Sequence, residues 1–240
     1  MKPLPKKIYP NHLRSTVVEF RFVPRYEASV QKGMLWQVLS GSLDPVSEHI
    51  YRADAQIHLE RPRQIVSIGA ENPLVFLIGT GKFSLTIHER HLFFNMVDAY
   101  PGWSDYKRAM QMVFDLFEKI EFMGSIQRIG LRYVSVHPNM TLGNATRLKL
   151  SLPQEINKSS IAQIRFQEVQ GSDEIISTFQ DLLERKQSII DIDVSTNLTL
   201  PKINWETAEP IADRLHNLQK RRFFDILHPD YLEELNPKFR

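Results

Sequence analysis

Charged side chains recur at every second or fourth position of three predicted strands, and these residues are the best placed in the sequence to do chemistry. Side chains two positions apart on a strand point to the same face of the sheet. If the three strands are neighbours, opposite charges pair across them and line one polar surface, which can hold a phosphate or a peptide terminus. The plainer interpretation is a solvated sheet face or a structural ion-pair network. The six candidate binding residues are Glu19, Arg21, Arg128, Arg132, Asp191 and Asp193.

The pair Asp191-Ile-Asp193 also raises the question of a metal site. A hard cation needs more oxygen ligands than two carboxylates supply, and the sequence indicates none nearby. The absence of cysteine excludes thiolate metal sites, disulfides and cysteine catalysis. The sequence also lacks the motifs of phosphate-binding loops, dinucleotide folds, serine hydrolases and zinc hydrolases. We therefore expect no metal, no cofactor and no catalytic residue, which favours a protein without enzymatic activity.

Histidine does not change this expectation. His88 and His91 lie on either side of a predicted tight turn at Glu89-Arg90, so no helix brings them together. His216 lies beside the apolar stripe of a predicted helix, where a packing or capping role is expected. The eight histidines of the chain therefore predict no ligand set.

The basic run Lys220–Arg222 on the C-terminal helix is a second candidate for binding nucleic acid. Together with Arg214, these side chains spread over more than half of the helix circumference, and acidic neighbours partly neutralise them. A solvated helix face is therefore the plainer interpretation. Because Phe223 and Phe224 are adjacent on the helix, we expect one ring in the core and the other directed outward. An exposed aromatic ring suits a protein partner. The predicted partner surface consists of Arg221, Arg222 and Phe224.

A long amphipathic helix is predicted at Tyr100–Met123, where it serves as the spine of the fold. Apolar residues recur at steps of three and four from Trp103 to Ile120, so they share one helical face. We expect Gly124 to end this helix.

The strand that follows, Ile126–Val136, carries two of the candidate arginines. Arg128 and Arg132 alternate with apolar residues, so both point away from the buried side of this strand. Any function of this stretch is therefore expected on the arginine face.

The rest of the chain predicts short strands and three further helices, of which the last is a short one at Tyr231–Leu235. Thr207 is the expected N-cap of the last long helix, and Ile175–Leu183 fits either a strand or a helix. Closely spaced strands favour an antiparallel meander. The other predicted elements are the strands Thr16–Val23, Ala53–Leu59, Gln64–Gly69, Leu74–Gly79, Phe83–His88, His91–Met96, Ile161–Gln170 and Ser188–Thr196, and the helix Ala28–Leu39.

These elements predict an α+β fold with one or more mainly antiparallel, curved sheets backed by two long amphipathic helices. We expect a single unit over residues 1–240, and the alternative is two sheet-plus-helix halves at about 1–124 and 125–240. The chain is 42% hydrophobic and 24% charged, with a formal net charge of +2, which neither demands nor excludes nucleic acid. It shows no secretory signal and no long apolar run, so we expect a cytoplasmic protein with no membrane contact.

Several motifs occur together in one order over nearly the whole chain. They are Glu19-Phe-Arg21, Asn95, Tyr100-Pro-Gly-Trp103, Arg128–Tyr133, Asp191-Ile-Asp193, and a terminal Leu215-His216 followed by Phe223 or Phe224. This order resembles a sporadically distributed, uncharacterised family of bacterial proteins of similar length. The resemblance implies gene neighbourhoods of the defence or toxin–antitoxin type and no established activity.

Protein binding is the function class that these observations favour. We expect a non-enzymatic accessory subunit that binds another protein, in a bacterial defence or toxin–antitoxin-type system. The alternative is a nucleic-acid- or nucleotide-binding module that uses an arginine-lined sheet face, with Arg21, Arg128 and Arg132 as the contacting residues.

Overall fold

The computed structural model of the chain describes residues 3–45, 73–79, 81–121, 123–149, 161–182, 185–200 and 204–239. Within these ranges the chain forms nine strands and five helices. Two predicted strands, Ala53–Leu59 and Gln64–Gly69, lie outside the described residues.

The described strands form one antiparallel sheet. In chain order they are β1 (Leu13–Pro24), β2 (Asp44–Pro45), β3 (Leu74–Ile78), β4 (Phe83–His88), β5 (His91–Met96), β6 (Met123–Pro138), β7 (Ile161–Gln170), β8 (Asp173–Leu182) and β9 (Gln187–Leu200). Their order across the sheet is β2-β3-β4-β5-β1-β6-β9-β8-β7. The predicted α+β class with an antiparallel sheet is therefore confirmed. The predicted ranges of β4, β5 and β7 are confirmed as well, and residues 175–182 of the ambiguous segment belong to strand β8, while residue 183 lies outside the described residues.

The helices of the described chain differ widely in length. In chain order they are α1 (Ala28–Leu39), α2 (Trp103–Glu118), α3 (Leu142–Ala145), α4 (Trp205–Ile226) and α5 (Pro229–Glu234). The longest are α2 with 16 residues and α4 with 22. Helix α2 begins three residues later than predicted because Gly102 precedes it at a φ of 107°, a conformation that side chains other than glycine rarely adopt.

Gly124 does not end helix α2, so this prediction is wrong. The helix ends at Glu118, and Gly124 lies inside strand β6. A Cβ atom at Gly124 would come within 3.1 Å of the backbone oxygen of Val23 on strand β1. This glycine therefore suits a close approach of two backbones, and the sequence alone does not distinguish this role from that of a helix stop.

Thr207 is also not the N-cap that its residue type predicts. Helix α4 begins two residues earlier, and the Oδ1 atom of Asn204 accepts a hydrogen bond from the N–H group of Thr207 at 2.9 Å. That bond is the one an N-cap side chain makes to the third helical residue. Asn204 therefore supplies the capping oxygen, and Thr207 lies within the first turn.

The contacts divide the chain into two compact units, and each is described by itself. The 17–129 unit contains Val17–Ile129 and Leu198–Pro210. The 130–197 unit contains Met1–Thr16, Gly130–Asn197 and Ile211–Arg240.

In the 17–129 unit, helices α1 and α2 pack on the sheet face that carries Phe20 and Phe76. The ring of Phe20 lies 5.0 Å from the ring of Phe114 on α2, and that of Phe76 lies 5.8 Å from Trp36 on α1. Both phenylalanines of the sheet are fully buried. Because side chains alternate along a strand, the neighbours of Phe20 on β1 emerge on the opposite face.

In the 130–197 unit, helices α4 and α5 pack on the sheet face that carries Tyr133 and His137. The hydroxyl of Tyr133 lies 3.1 Å from Nδ1 of His216 on α4, which gives His216 the packing role expected for it. His137 contacts Tyr231 of α5. The side chain of Arg132 is on the other face of strand β6.

Candidate functional site

The carboxylate of Glu19 is the centre of a polar cluster in the 17–129 unit. Glu19 forms an ion pair with Arg128 on strand β6, and the Oε1 atom of Glu19 lies 3.7 Å from Nη2 of Arg21. The same oxygen lies 2.8 Å from Nδ1 of His91 on strand β5. The pairing of β1 with β5 explains this contact, because it places Arg21 directly opposite His91 and Glu19 directly opposite Phe93. We call Glu19, Arg21, His91 and Arg128 the Glu19 cluster.

The Glu19 cluster combines shielded and accessible charges. The side chains of Glu19 and Arg128 are only 14% and 17% exposed, whereas that of Arg21 is 45% exposed. Burial, followed by the charges of Arg21 and Arg90, lowers the pKa of His91. His91 is therefore neutral at neutral pH and donates its Nδ1–H to Glu19. Two guanidinium groups and one carboxylate leave about one positive charge on the cluster.

Arg132 and Asp191 form a two-pronged ion pair in the 130–197 unit. Nε of Arg132 donates to Oδ1 of Asp191 at 3.0 Å, and Nη2 donates to Oδ2 at 2.7 Å. Such a fork is the strongest arrangement of this pair of residue types. The hydrogen bond that Arg132 donates to Asp191 is the largest cause that raises the pKa of Arg132, and the charges of Asp191 and Asp193 raise it further, whereas burial lowers it. We call Arg132, Asp191 and Asp193 the Arg132 cluster, and its charges sum to about −1.

The six candidate residues of the strands therefore form two clusters. Strand β6 separates β1 from β9 in the sheet, and each of its two arginines pairs with an acidic residue of one neighbouring strand. The structure brings Glu19, Arg21 and Arg128 together in one unit, and it brings Arg132 and Asp191 together in the other. His91 completes the first cluster and was not predicted from the sequence, because its contact depends on the register between β1 and β5.

Two arginines of the C-terminal helix contact the sheet. Arg222 forms an ion pair with Glu168 on strand β7, and its Nε lies 3.5 Å from Oγ of Ser177 on β8. Arg214, two turns earlier on the same helix, forms an ion pair with Asp173 of β8. These two arginines lie over the sheet.

Arg221 and Phe224 complete the predicted partner surface. Arg221 is exposed, whereas Phe224 is half-buried with its ring 5.2 Å from that of Phe223. Of the three predicted residues, Arg221 is therefore the one whose side chain extends into solvent, and Arg222 contributes to helix docking.

A buried histidine in the 130–197 unit was also not predicted from the sequence. His137 is fully buried, its Nδ1 lies 2.8 Å from the hydroxyl of Tyr231, and its Nε2 lies 3.0 Å from Oγ of Ser135. Burial lowers the pKa of His137 to about 3, with a smaller contribution from His12. The alternation along β6 is the signal that could have located it, but the predicted strand ended at Val136, one residue before His137 and two residues before the end of β6.

Among the described residues, no group of three or more histidines and carboxylates is placed to hold a metal ion. None of the described helices is both long and apolar enough to cross a membrane. Comparison with known proteins found no family model and no curated protein that matches the chain.

Proposed function

We propose that this protein is a non-enzymatic subunit that binds another protein through the sheet face that carries the Glu19 cluster. The observation that supports the proposal is the shared use of the Glu19 carboxylate by Arg128, Arg21 and His91. The resemblance of the sequence motifs adds the context of a bacterial defence or toxin–antitoxin-type system, in which such a protein acts as an accessory subunit.

The ion pairs favour a protein partner over a phosphate ligand. A phosphate needs cationic groups that are not already neutralised, and the guanidinium of Arg128 is committed to Glu19. Arg132 is likewise held in its fork with Asp191. If these arginines bound nucleic acid, their ion pairs would have to break first. Breaking them costs free energy, and the phosphate contacts would have to offset that cost.

The exposed part of the Glu19 cluster indicates the chemistry of the partner. The guanidinium of Arg21 is 45% exposed, and the cluster as a whole carries about one positive charge. A carboxylate side chain on the partner, placed against Arg21, complements this charge. Charge complementarity of this kind gives an interface its register and specificity.

The test begins with affinity purification from a host lysate, using the wild-type chain and the variant Arg21→Glu. A protein retained by the wild-type chain is then purified, and its affinity for both chains is measured by calorimetry. Reversal of the charge is expected to weaken binding by about 10- to 100-fold, because a favourable contact becomes a repulsion. Arg108→Glu is the matched control, since Arg108 is 77% exposed on helix α2 and lies away from the cluster.

Two results would overturn the proposal. The first is a partner that binds the wild-type chain, Arg21→Glu and Arg108→Glu with the same affinity. The second is salt-dependent binding of an oligonucleotide that is lost in Arg132→Ala, because this result would assign the sheet face to nucleic acid.

A further inference from the structure

Four lysines lie at or near the junction where the two ends of the described chain pair with each other in the 130–197 unit. Lys7 and Lys238 face each other in an antiparallel bridge. The backbone N–H of Lys6 donates to the oxygen of Lys238 at 2.6 Å, and the N–H of Lys238 donates to the oxygen of Lys7 at 2.8 Å. Lys220 of helix α4 lies close enough to Lys6 for their charges to interact. We call Lys6, Lys7, Lys220 and Lys238 the terminal lysine cluster.

The terminal lysine cluster is not neutralised in the part of the chain that the structure describes. None of the four lysines forms an ion pair with a described carboxylate. On helix α4, the neighbours of Lys220 at three and four positions in either direction are His216, Asn217, Phe223 and Phe224. The acidic residues of α5, Glu233 and Glu234, precede the C-terminal segment, and the charge of Glu234 acts on Tyr231.

Bringing these lysines together costs the fold free energy. Like charges directly opposite each other on paired strands are destabilising, as with Lys7 and Lys238. Burial, and then the ammonium group of Lys6, lower the pKa of Lys220, so the fold opposes its charge as well. A bound polyanion would reverse this repulsion into attraction, because each phosphate group neutralises a lysine.

Two exposed aromatic rings accompany the lysines. Tyr9 is 76% exposed and Phe239 is 46% exposed. Both are fixed in the same junction: the N–H of Tyr9 donates to the oxygen of Leu235 at 2.6 Å, and Phe239 directly follows Lys238. Exposed rings beside a basic surface are the platforms on which single-stranded nucleic acids stack their bases.

We propose that the terminal lysine cluster, with Tyr9 and Phe239, binds single-stranded nucleic acid. The lysines contact successive phosphates, and the two rings stack on bases. An acidic peptide would use the same lysines, but it has no planar bases to occupy the exposed rings. A nucleic acid duplex keeps its bases stacked inside and would also leave the rings unused. This site is separate from the Glu19 cluster and does not depend on the function proposed for that cluster.

The test measures the fluorescence anisotropy of labelled oligothymidine and oligouridine of about 16 nucleotides, a length that matches the upper range of single-strand sites. The two oligomers establish whether DNA or RNA is preferred. Three or four phosphate contacts predict that affinity falls about 20- to 50-fold between 50 and 200 mM salt. The double variant Lys7→Gln/Lys238→Gln should reduce the slope of log affinity against log salt by about 1.4, and Lys220→Gln by about half as much.

Matched variants separate this site from general electrostatics. Lys82→Gln/Lys119→Gln removes the same charge from exposed positions of the 17–129 unit and should leave binding unchanged. Tyr9→Leu and Phe239→Leu should each weaken binding by at least about fivefold, whereas Tyr26→Leu, at a tyrosine of the 17–129 unit that is 41% exposed, should not. Folding is checked by the thermal midpoint, which Lys7→Gln should raise because it relieves the repulsion with Lys238.

The proposal is overturned by any of three results. The first is that the oligomers do not bind at 50 mM salt. The second is that the control variant Lys82→Gln/Lys119→Gln loses as much affinity as Lys7→Gln/Lys238→Gln. The third is that a polyglutamate peptide binds as tightly as the oligomers and the Leu variants of the two aromatic residues have no effect, which would assign the lysines to an acidic protein partner.

Discussion

The hydroxyl of Tyr231 on helix α5 donates a hydrogen bond of 2.8 Å to Nδ1 of His137 on strand β6, and both side chains are buried. The hydrogen bond between Nε2 of His137 and Ser135 determines that Tyr231 is the donor. Ser135 gives its only proton to the backbone oxygen of Ile190 at 3.2 Å, so its Oγ must accept the Nε2–H of His137 at 3.0 Å. A neutral imidazole satisfies every member of this chain. An imidazolium does not, since its Nδ1–H would donate to Tyr231 and the hydroxyl proton of Tyr231 would lose Nδ1 as its acceptor.

The stability of the fold should therefore fall as the pH is lowered. The pKa of His137 is about 3 in the folded chain, below its ordinary value of 6.5, so the unfolded state binds a proton first. The stabilisation is complete above pH 6.5 and is lost progressively as the pH approaches 3. Each pH unit in this window costs about 1.4 kcal/mol, so urea unfolding at pH 5 should show about 2 kcal/mol less stability than at pH 7.

The control for this prediction is His137→Gln, whose side chain does not titrate. Its unfolding free energy should change less with pH than that of the wild-type chain. Some dependence should remain, because burial and Arg14 also lower the pKa of His12. Identical pH profiles for the variant and the wild-type chain would show that His137 does not carry the effect.

Removal of the Tyr231 hydroxyl should destabilise the fold at neutral pH. In Tyr231→Phe, Nδ1 of His137 loses its donor in a site that water does not reach, which costs about 1–3 kcal/mol. Tyr26→Phe removes the same atom from a side chain that is 41% exposed, and its free energy of unfolding should stay within about 0.5 kcal/mol. Equal losses in the two variants would contradict the enclosed hydrogen bond.

The sequence predicted the positions of strands and the faces of their side chains better than it predicted which residues form ion pairs with each other. Alternation placed Arg128 and Arg132 on one face of their strand, since period two is a local property of the backbone. It did not identify Glu19 and Asp191 as their separate partners, because strand order arises from the whole sheet. For the same reason the sequence did not indicate the ion pair of Arg222, since its acidic neighbour Glu168 on β7 is 54 positions away in the chain.

Loss of the Glu19 charge should also destabilise the chain. Glu19→Gln removes the negative charge that Glu19 places beside the guanidinium of Arg128, which is 17% exposed, and we expect a cost of about 2 kcal/mol. Glu121→Gln removes a carboxylate that is 76% exposed and 3.2 Å from Arg25, and such surface pairs contribute about 0–1 kcal/mol. Urea unfolding at pH 7 measures both. A cost for Glu19→Gln no larger than that for Glu121→Gln would show that water, and not Glu19, balances Arg128.

Two glycines should respond to alanine in opposite directions. At Gly124 a Cβ atom would lie 3.1 Å from the backbone oxygen of Val23, and neither strand can yield without disturbing its pairing, so Gly124→Ala should cost about 1–3 kcal/mol. At Gly33, inside helix α1, no described atom beyond its two chain neighbours and the backbone of its own helix lies within 4 Å of the added Cβ. Gly33→Ala should therefore stabilise the chain by about 0.5–1 kcal/mol, because alanine loses less backbone entropy in a helix. Thermal and urea unfolding of the two variants provide the comparison, and stabilisation by Gly124→Ala would contradict the close approach of β1 and β6.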